Sequence, residues 1–339
     1  MLSQAVLQAA IIVLGLVGLG ISIYLHYQKK TTVEGMACPM DGSCEDVITS
    51  KYSKFLGFDV EILGILYYSI IVVAYSIFVL TPQVTPSWFV FGVIMSSIIA
   101  VLFSAYLTYI QGVTLKMWCT WCLVSASISL GILVVAVPAA TVGLTALMAQ
   151  YSGILFWAAI IAAASGLGTA LSYNTLLFDS LRDFEISDIQ AKTLNTVNQL
   201  TWAALAAVVV SGAALAIGDS SLLTEASFIG AALAAGFLIL NDSVHSLYVS
   251  EKITDVRYRE GDEEVPYNLD KYVVVLAATS LYSWASLLLI QLTENPLEPG
   301  EVVALYLLGL MIVSLFGVAL NRVMKLRADD DLPEWSPLH

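Results

Sequence analysis

Four cysteines in two close pairs are the residues of this chain best suited to chemistry. Cys38 and Cys44 lie in a polar loop, and Cys119 and Cys122 lie in the run Trp118-Cys119-Thr120-Trp121-Cys122 that opens an apolar segment. Two dithiols of this kind read as a two-stage relay that passes electrons by disulfide exchange. A Cys-x-x-Cys at a helix start sets its first thiol against unpaired backbone amides and the positive end of the helix dipole. That lowers the thiol pKa and lets it attack as thiolate. Cys122 then lies one turn deeper, among apolar side chains, where it faces an acceptor dissolved in a bilayer such as a quinone of the ubiquinone or menaquinone type. The loop pair sits within Glu34-Gly35-Met36-Ala37-Cys38-Pro39-Met40-Asp41-Gly42-Ser43-Cys44, a stretch rich in turn formers and therefore exposed and able to move.

The same residues admit other readings. An isolated loop pair outside the cytoplasm is often a structural staple, and thiols within a membrane often act only as small apolar groups. Four thiolates are also enough for a tetrahedral zinc site, but zinc knuckles space their cysteines by two to four residues and the loop pair has five between, so no metal is expected. Near the dithiols, Phe103, Tyr106, Trp118 and Trp121 are able to wall a quinone headgroup by stacking. Aromatic belts at membrane interfaces have the same composition and account for most of them. Trp121, between the two thiols in sequence, is the exception to test first.

These residues have to be held by membrane spans. At 58% apolar and 12% charged, the chain lies outside the range of soluble globular domains. About 20 apolar residues cross a hydrocarbon core, and nine segments qualify: roughly 4–27, 60–80, 87–110, 118–137, 153–178, 197–217, 226–248, 271–292 and 299–321. Pro82 and Pro86, Pro138, Gly218-Asp219-Ser220, Asn295-Pro296 and Pro299-Gly300 punctuate them. The expected fold is an all-α polytopic membrane protein, a four-helix redox bundle over residues 1–150 followed by about five further spans over residues 151–339. Residues 138–152 either extend the fourth helix past a proline kink or form a short interfacial segment. The apolar run Ala5 to Tyr27 has no basic residues before it and is too long for a signal-peptide core, so it is expected to be retained as a span. The net charge of −13 is scattered over loops and tail, which points to solvation and to no nucleic-acid partner.

Alternating the spans across a bilayer puts Lys29, Lys30, Lys51, Lys54 and Lys116 on the face of both cysteine pairs. The remaining basic residues, from Arg182 to Arg327, join them, so all 14 fall on the cysteine side. Lysine and arginine near span ends are retained in the cytoplasm, which predicts a cytoplasm-facing redox loop. Intracellular disulfides are established in hyperthermophilic organisms, and an extracytoplasmic cysteine face is the alternative.

With those residues in view, the chain resembles the vitamin K epoxide reductase family, in particular its prokaryotic disulfide-forming members. The resemblance spans residues 1 to about 140 and rests on Cys38 and Cys44 at the family spacing, Val47, Ser50 and Tyr52 downstream, Gly64 followed by Tyr67-Tyr68, and Cys119-x-x-Cys122. It implies that Cys38/Cys44 collect electrons from a separate thioredoxin-like or DsbA-like dithiol protein. Cys122 then works against the quinone and Cys119 resolves it. Tyr67, Tyr68 and Ser50 join Phe103 and Trp121 as candidate quinone-binding or supporting residues. The Ser50 hydroxyl either supports a thiolate or quinone oxygen or caps a short interfacial helix. Animal members have an asparagine and a tyrosine where this chain has Val60 and Ala126, so the resemblance implies quinone reduction and not reduction of an epoxide. Asp59 replaces a proline of many bacterial members, and a different local turn is expected there.

Residues 153–339 contain no cysteine. Their polar residues within or near span ends are Asn174, Asn195, Asn198, Asn241, Asp242 and His245, functional candidates because they are polar groups in a bilayer. Asp242 and His245, three apart, share a helical face and are expected to pair. Haem ligation by His245 would need a second imidazole, and the others are His26 and His339. The run Ala162-Ala163-Ala164-Ser165-Gly166-Leu167-Gly168 favours close helix packing. Leu177 to Gln190 reads as an amphipathic interfacial helix or as a connecting loop. The competing function is a membrane transporter or scaffold with redox-sensing cysteines. A third reading makes the first half the enzyme and the second a separate transport module.

Overall fold

In the computed structural model, residues 4–31, 38, 43–81, 86–140, 143–182, 188–258, 271–293 and 297–330 are described. They divide into two compact units, Met1–Tyr151 and Ser152–His339. Among the described residues nine helices are long and apolar enough to cross a membrane, and they coincide with the nine segments read from the sequence.

The first unit is a bundle of α1 (Gln4–Thr31), α3 (Val60–Leu80), α4 (Ser87–Tyr109) and α5 (Thr120–Ala139), with the short α2 (Cys44–Thr49) between the first two. In lipid only internally bonded backbone is stable, so long apolar runs become helices even when rich in valine and isoleucine. Helix α1 packs on α3 and α5, and α4 packs on α5. Val13, Leu16, Leu66 and Val73 are half exposed or more, as lipid-facing positions require. The α1/α3 contact is close because of glycine. A Cβ at Gly18 would overlap the ring of Tyr68, and one at Gly64 would lie 2.7 Å from Ser22 Oγ.

After α2 come a single 3-10 turn, Lys51–Ser53, and a two-stranded hairpin, β1 (Lys54–Phe55) with β2 (Phe58–Asp59), paired Lys54 to Asp59 and Phe55 to Phe58. The fold is all-α as expected, and this hairpin of two-residue strands is a local turn within it. Its two turn residues, Leu56 (φ 51°) and Gly57 (φ 86°), both have positive φ, the geometry that matches strand twist in two-residue hairpins. Two-residue strands are too short to show alternation, and leucine is no turn signal. Pro138 is accommodated in the last turn of α5, and α6 (Leu144–Gln150) comes next as a separate short helix. It is held on α4 by Gln150 Nε2 donating to Ser87 Oγ (3.1 Å) and by Phe91 stacked on Tyr151 at 4.5 Å.

The second unit consists of α7 (Ser152–Arg182), α8 (Asp188–Gly218), α9 (Ala226–Tyr258), α10 (Lys271–Leu292) and α11 (Pro299–Asp330). Helix α10 packs against α7, α9 and α11. Small residues form much of the interior, among them Ala162, Ala163, Ala170, Ala204, Ala234 and Ala235 around Trp284. Gly166 leaves room for the Trp284 ring. Residues 177–182 continue α7, so Leu177 to Gln190 is not one interfacial helix; residues 183–187 lie outside the described set. Asp242 and His245 do not pair. Asp242 Oδ1 accepts from Asn241 Nδ2 (3.2 Å), while Asp242 Oδ2 and His245 Nε2 are buried without a hydrogen-bond partner.

Candidate active site

Cys38 and Cys44 are joined by a disulfide with Cα atoms 5.7 Å apart, while Cys119 and Cys122 are free thiols. Of the sequence flanking Cys38, residues 32–37 and 39–42 lie outside the described set. Cys44 is the first residue of α2 and is 1% exposed; Cys38 is only partly buried. A backbone hydrogen bond brings the two pairs together, Ser43 N donating to Trp118 O at 3.0 Å. Since Ser43 precedes Cys44 and Trp118 precedes Cys119, this bond sets the buried end of the loop disulfide beside the start of the helix dithiol.

The chain reaches Cys119 through a wide helical turn, Ile110–Leu115, and then Lys116 at φ 54°. Wide turns of this kind recur at functional sites, and here the turn redirects the chain toward the start of α5. Buried Gln111 in that turn fixes both ends of the connection, its carbonyl accepting from Met117 N (3.1 Å) and its side-chain oxygen from Cys119 N (3.0 Å). Cys119 is fully buried and caps α5, its Sγ accepting from Cys122 N at 3.3 Å. The Cys122 thiol, hydrogen-bonded to it, and the backbone amides of Cys122 and Trp121 hold Cys119 below the usual thiol pKa. Burial and the nearby Glu61 carboxylate act in the opposite sense.

Glu61 and Lys29 belong to the site although sequence reasoning passed over both. Lys29, in the last turn of α1, reaches Asp59 Oδ1 (2.8 Å), Glu61 Oε2 (3.3 Å) and Ser53 Oγ (3.2 Å). Glu61 is 6% exposed in the first turn of α3. The Lys29 hydrogen bond holds the Asp59 carboxyl below the ordinary carboxylate value. No local signal links residues this far apart. A buried carboxylate needs a cation, and Lys29 is the basic residue at the facing helix end. Asp59 stands just before α3 with φ −65°, a value proline also adopts, so the backbone keeps that course while the side chain turns to Lys29.

The remaining candidates divide. Tyr68 is 1% exposed, and its hydroxyl lies within 3.0 Å of Ser125 O, Ser125 Oγ and Ser129 Oγ, so it ties α3 to α5. Tyr67 packs on Tyr68 with ring centroids 5.0 Å apart. The Ser50 hydroxyl donates to Val47 O at 2.8 Å, closing the end of α2 and not capping a helix start. At the thiol end of the bundle two aromatic groups are partly exposed: Trp121 with Tyr24 (5.4 Å), and Phe103 with Phe55 (5.1 Å) and Tyr106 (6.3 Å). Tyr24 and Phe55 had no sequence signal, since each is brought in by another element. Cys122 is only partly buried at the same end. A small recess lined by Gln8, Tyr75, Phe78, Val90, Ile94, Ala139 and Ala140 lies at the opposite end.

Residues 9–137 match the model of the Vitamin K epoxide reductase family. No curated protein and no solved structure was found to match the chain. The matched window runs from α1 to the end of α5 and takes in all four cysteines, and the chemistry of that family is membrane thiol–disulfide oxidoreduction. With both dithiols at one end of its bundle, the four-helix unit is the part of this chain that is similar to the vitamin K epoxide reductase family.

Proposed function

We propose that this protein is a quinone-dependent thiol oxidase that makes disulfides in a thioredoxin-like dithiol carrier. The observation that carries the reading is the hydrogen bond from Ser43 to Trp118, because it sets the loop disulfide against the capping thiol of α5. In the first step a carrier thiolate attacks Cys38, the more accessible sulfur, and Cys44 leaves as thiolate. The second carrier thiol then resolves the mixed disulfide and the carrier departs oxidised. Two electrons and two protons now reside on Cys38 and Cys44. Exchange from buried Cys44 to an oxidised Cys119–Cys122 pair regenerates the loop disulfide and leaves the helix pair reduced.

Cys119 and Cys122 return to their disulfide by giving up those two electrons and two protons, which a bound quinone is suited to accept. Partly exposed Trp121, Tyr24 and Phe103 suit such a ring, because they leave flat apolar faces at the bundle end that carries the dithiol. The chain's own contribution is to favour the Cys119 thiolate with the Cys122 thiol and the α5 amides. No polar side chain takes the places of Val60 and Ala126, which supports a quinone over an epoxide.

Purified protein with a reduced thioredoxin-like carrier should reduce a soluble quinone analogue. Cys122→Ala is expected to lower turnover by about a hundredfold or more, and full turnover in that variant would defeat the assignment. A carrier whose resolving cysteine is replaced by alanine is expected to displace Cys44 and stay trapped as a mixed disulfide on Cys38, detectable by mass spectrometry. A trapped adduct at Cys119 instead would reverse the order of exchange.

A further inference from the structure

The second unit gathers buried polar atoms that lack partners. Asn174 Oδ1 on α7 and His245 Nε2 on α9 have no hydrogen-bond partner, and the Asp242 carboxyl on α9 faces Trp284 Nε1 on α10 without a fully formed bond at Oδ2, in residues at most 8% exposed. Buried polar groups are nearly always bonded, so the under-bonded Asp242, His245 and Trp284 at one helix junction need a common cause. The junction is defined by contacts. His245 meets the Tyr173 ring at 5.6 Å, Asn241 Nδ2 donates to Leu276 O at 3.0 Å, and Thr279 Oγ1 donates to Asn241 Oδ1 at 3.0 Å. Ser280 and Trp284 face the Asp242 carboxyl, and Trp284 packs over Gly166 of α7.

Asp242 lies within the apolar span Ala226–His245. An ionised carboxylate there, without a cation, is disfavoured. Among the described residues no cation faces it. Lys192 on α8 and Arg322 on α11 are exposed, and Glu225 and Glu301 stand at the far ends of α9 and α11. Tyr306 on α11 bonds with Ser283 at 2.8 Å. The titratable groups at the junction are therefore Asp242, His245 and Tyr173.

We propose that Asp242 is a proton-binding site of the second unit, loaded through His245 from the end of the span. A proton on Oδ2 neutralises the carboxyl and makes it a donor, for which the facing Ser280 hydroxyl is an acceptor. His245, one turn along the same face, is the last residue of the apolar span, between the carboxyl and the polar continuation of α9 to Tyr258. In its neutral form with hydrogen on Nδ1, its Nε2 is an acceptor. Transfer moves one proton from imidazolium to carboxylate, with no electron and no other bond changed. The Asn241 bonds to Leu276 and Thr279 hold the carboxyl in register with α10. The assignment rests on the second unit alone and stands or falls independently of the quinone reading.

Infrared difference spectra of the full-length protein in lipid nanodiscs test it. Wild type near neutral pH should show a protonated-carboxyl stretch that shifts in heavy water and is missing in Asp242→Asn. Asp242→Glu should move the band, and a band unmoved in that variant belongs to another carboxyl and overturns the assignment. His245→Phe should retain the band but slow its deuterium exchange by about tenfold or more; unchanged exchange removes His245 from the route. Carboxylate stretches alone at Asp242, or a band abolished by sodium, overturn the proposal, the latter in favour of a cation site.

Discussion

Glu61 places a negative charge near two thiols whose work requires one of them to ionise, and Lys29 moderates that charge. Cys119 is pulled below its usual pKa by the Cys122 thiol and by the amides of the α5 start, with Glu61 opposing. Glu61→Gln removes the opposition, so Cys119 should ionise at lower pH. Alkylation proceeds through the thiolate, and its rate at a fixed pH below the titration should rise roughly threefold. A profile displaced to higher pH would contradict the assigned electrostatics. Cys122→Ala removes the largest favourable contribution and should displace the profile to higher pH. The cysteines were legible in the sequence because each pair is local, with both members inside one loop or one helical turn. Lys29 and Glu61 were not, since the pair exists only once α1 and α3 pack antiparallel. Tyr68 reads as a quinone neighbour in the sequence for the same reason: its motif is local, but the serines that engage its hydroxyl are on α5.

Among the elements, the contact of α1 with α3 carries the most consequence, because it closes the bundle and brings Lys29 over Asp59 and Glu61. Gly18→Ala would push a methyl group into the buried Tyr68 ring, and overpacking of this kind costs about 1–3 kcal/mol. Thermal unfolding in detergent should fall accordingly, and an unchanged midpoint would mean that the helices are not held this closely. The Lys29–Asp59 pair adds a pH dependence at the other end of the same contact. Asp59 titrates lower in the folded protein than in the unfolded chain. Its contribution is therefore full above the unfolded carboxylate pKa and is lost as pH falls through the folded value. Asp59→Asn should flatten the acid limb of the stability curve, and an acid limb as steep as in wild type would remove Asp59 from that role. The spans were legible because length and apolarity suffice to define a membrane helix. The Lys54–Asp59 hairpin was not, since its turn depends on the backbone of Leu56 and Gly57 and not on an alternating pattern.

For the whole molecule the distribution of basic residues makes the sharpest prediction. Counting spans along the chain assigns all 14 lysines and arginines to the side of the dithiols, and such residues are retained in the cytoplasm during insertion. In the first unit Lys29 and Lys54 indeed stand at the bundle end that carries Cys44 and Cys119. We expect the loop disulfide to face the cytoplasm. After mild reduction of intact cells, a membrane-impermeant maleimide should leave Cys38 unmodified while a permeant one labels it. Labelling from outside would invert the topology and put the carrier in the extracytoplasmic space. The proposed redox chemistry tolerates either outcome, because a quinone would be reached from within the bilayer in both orientations. What changes is the source of the two protons that leave with the electrons: they come from carrier thiols on the dithiol side, so that side alone determines which compartment is oxidised.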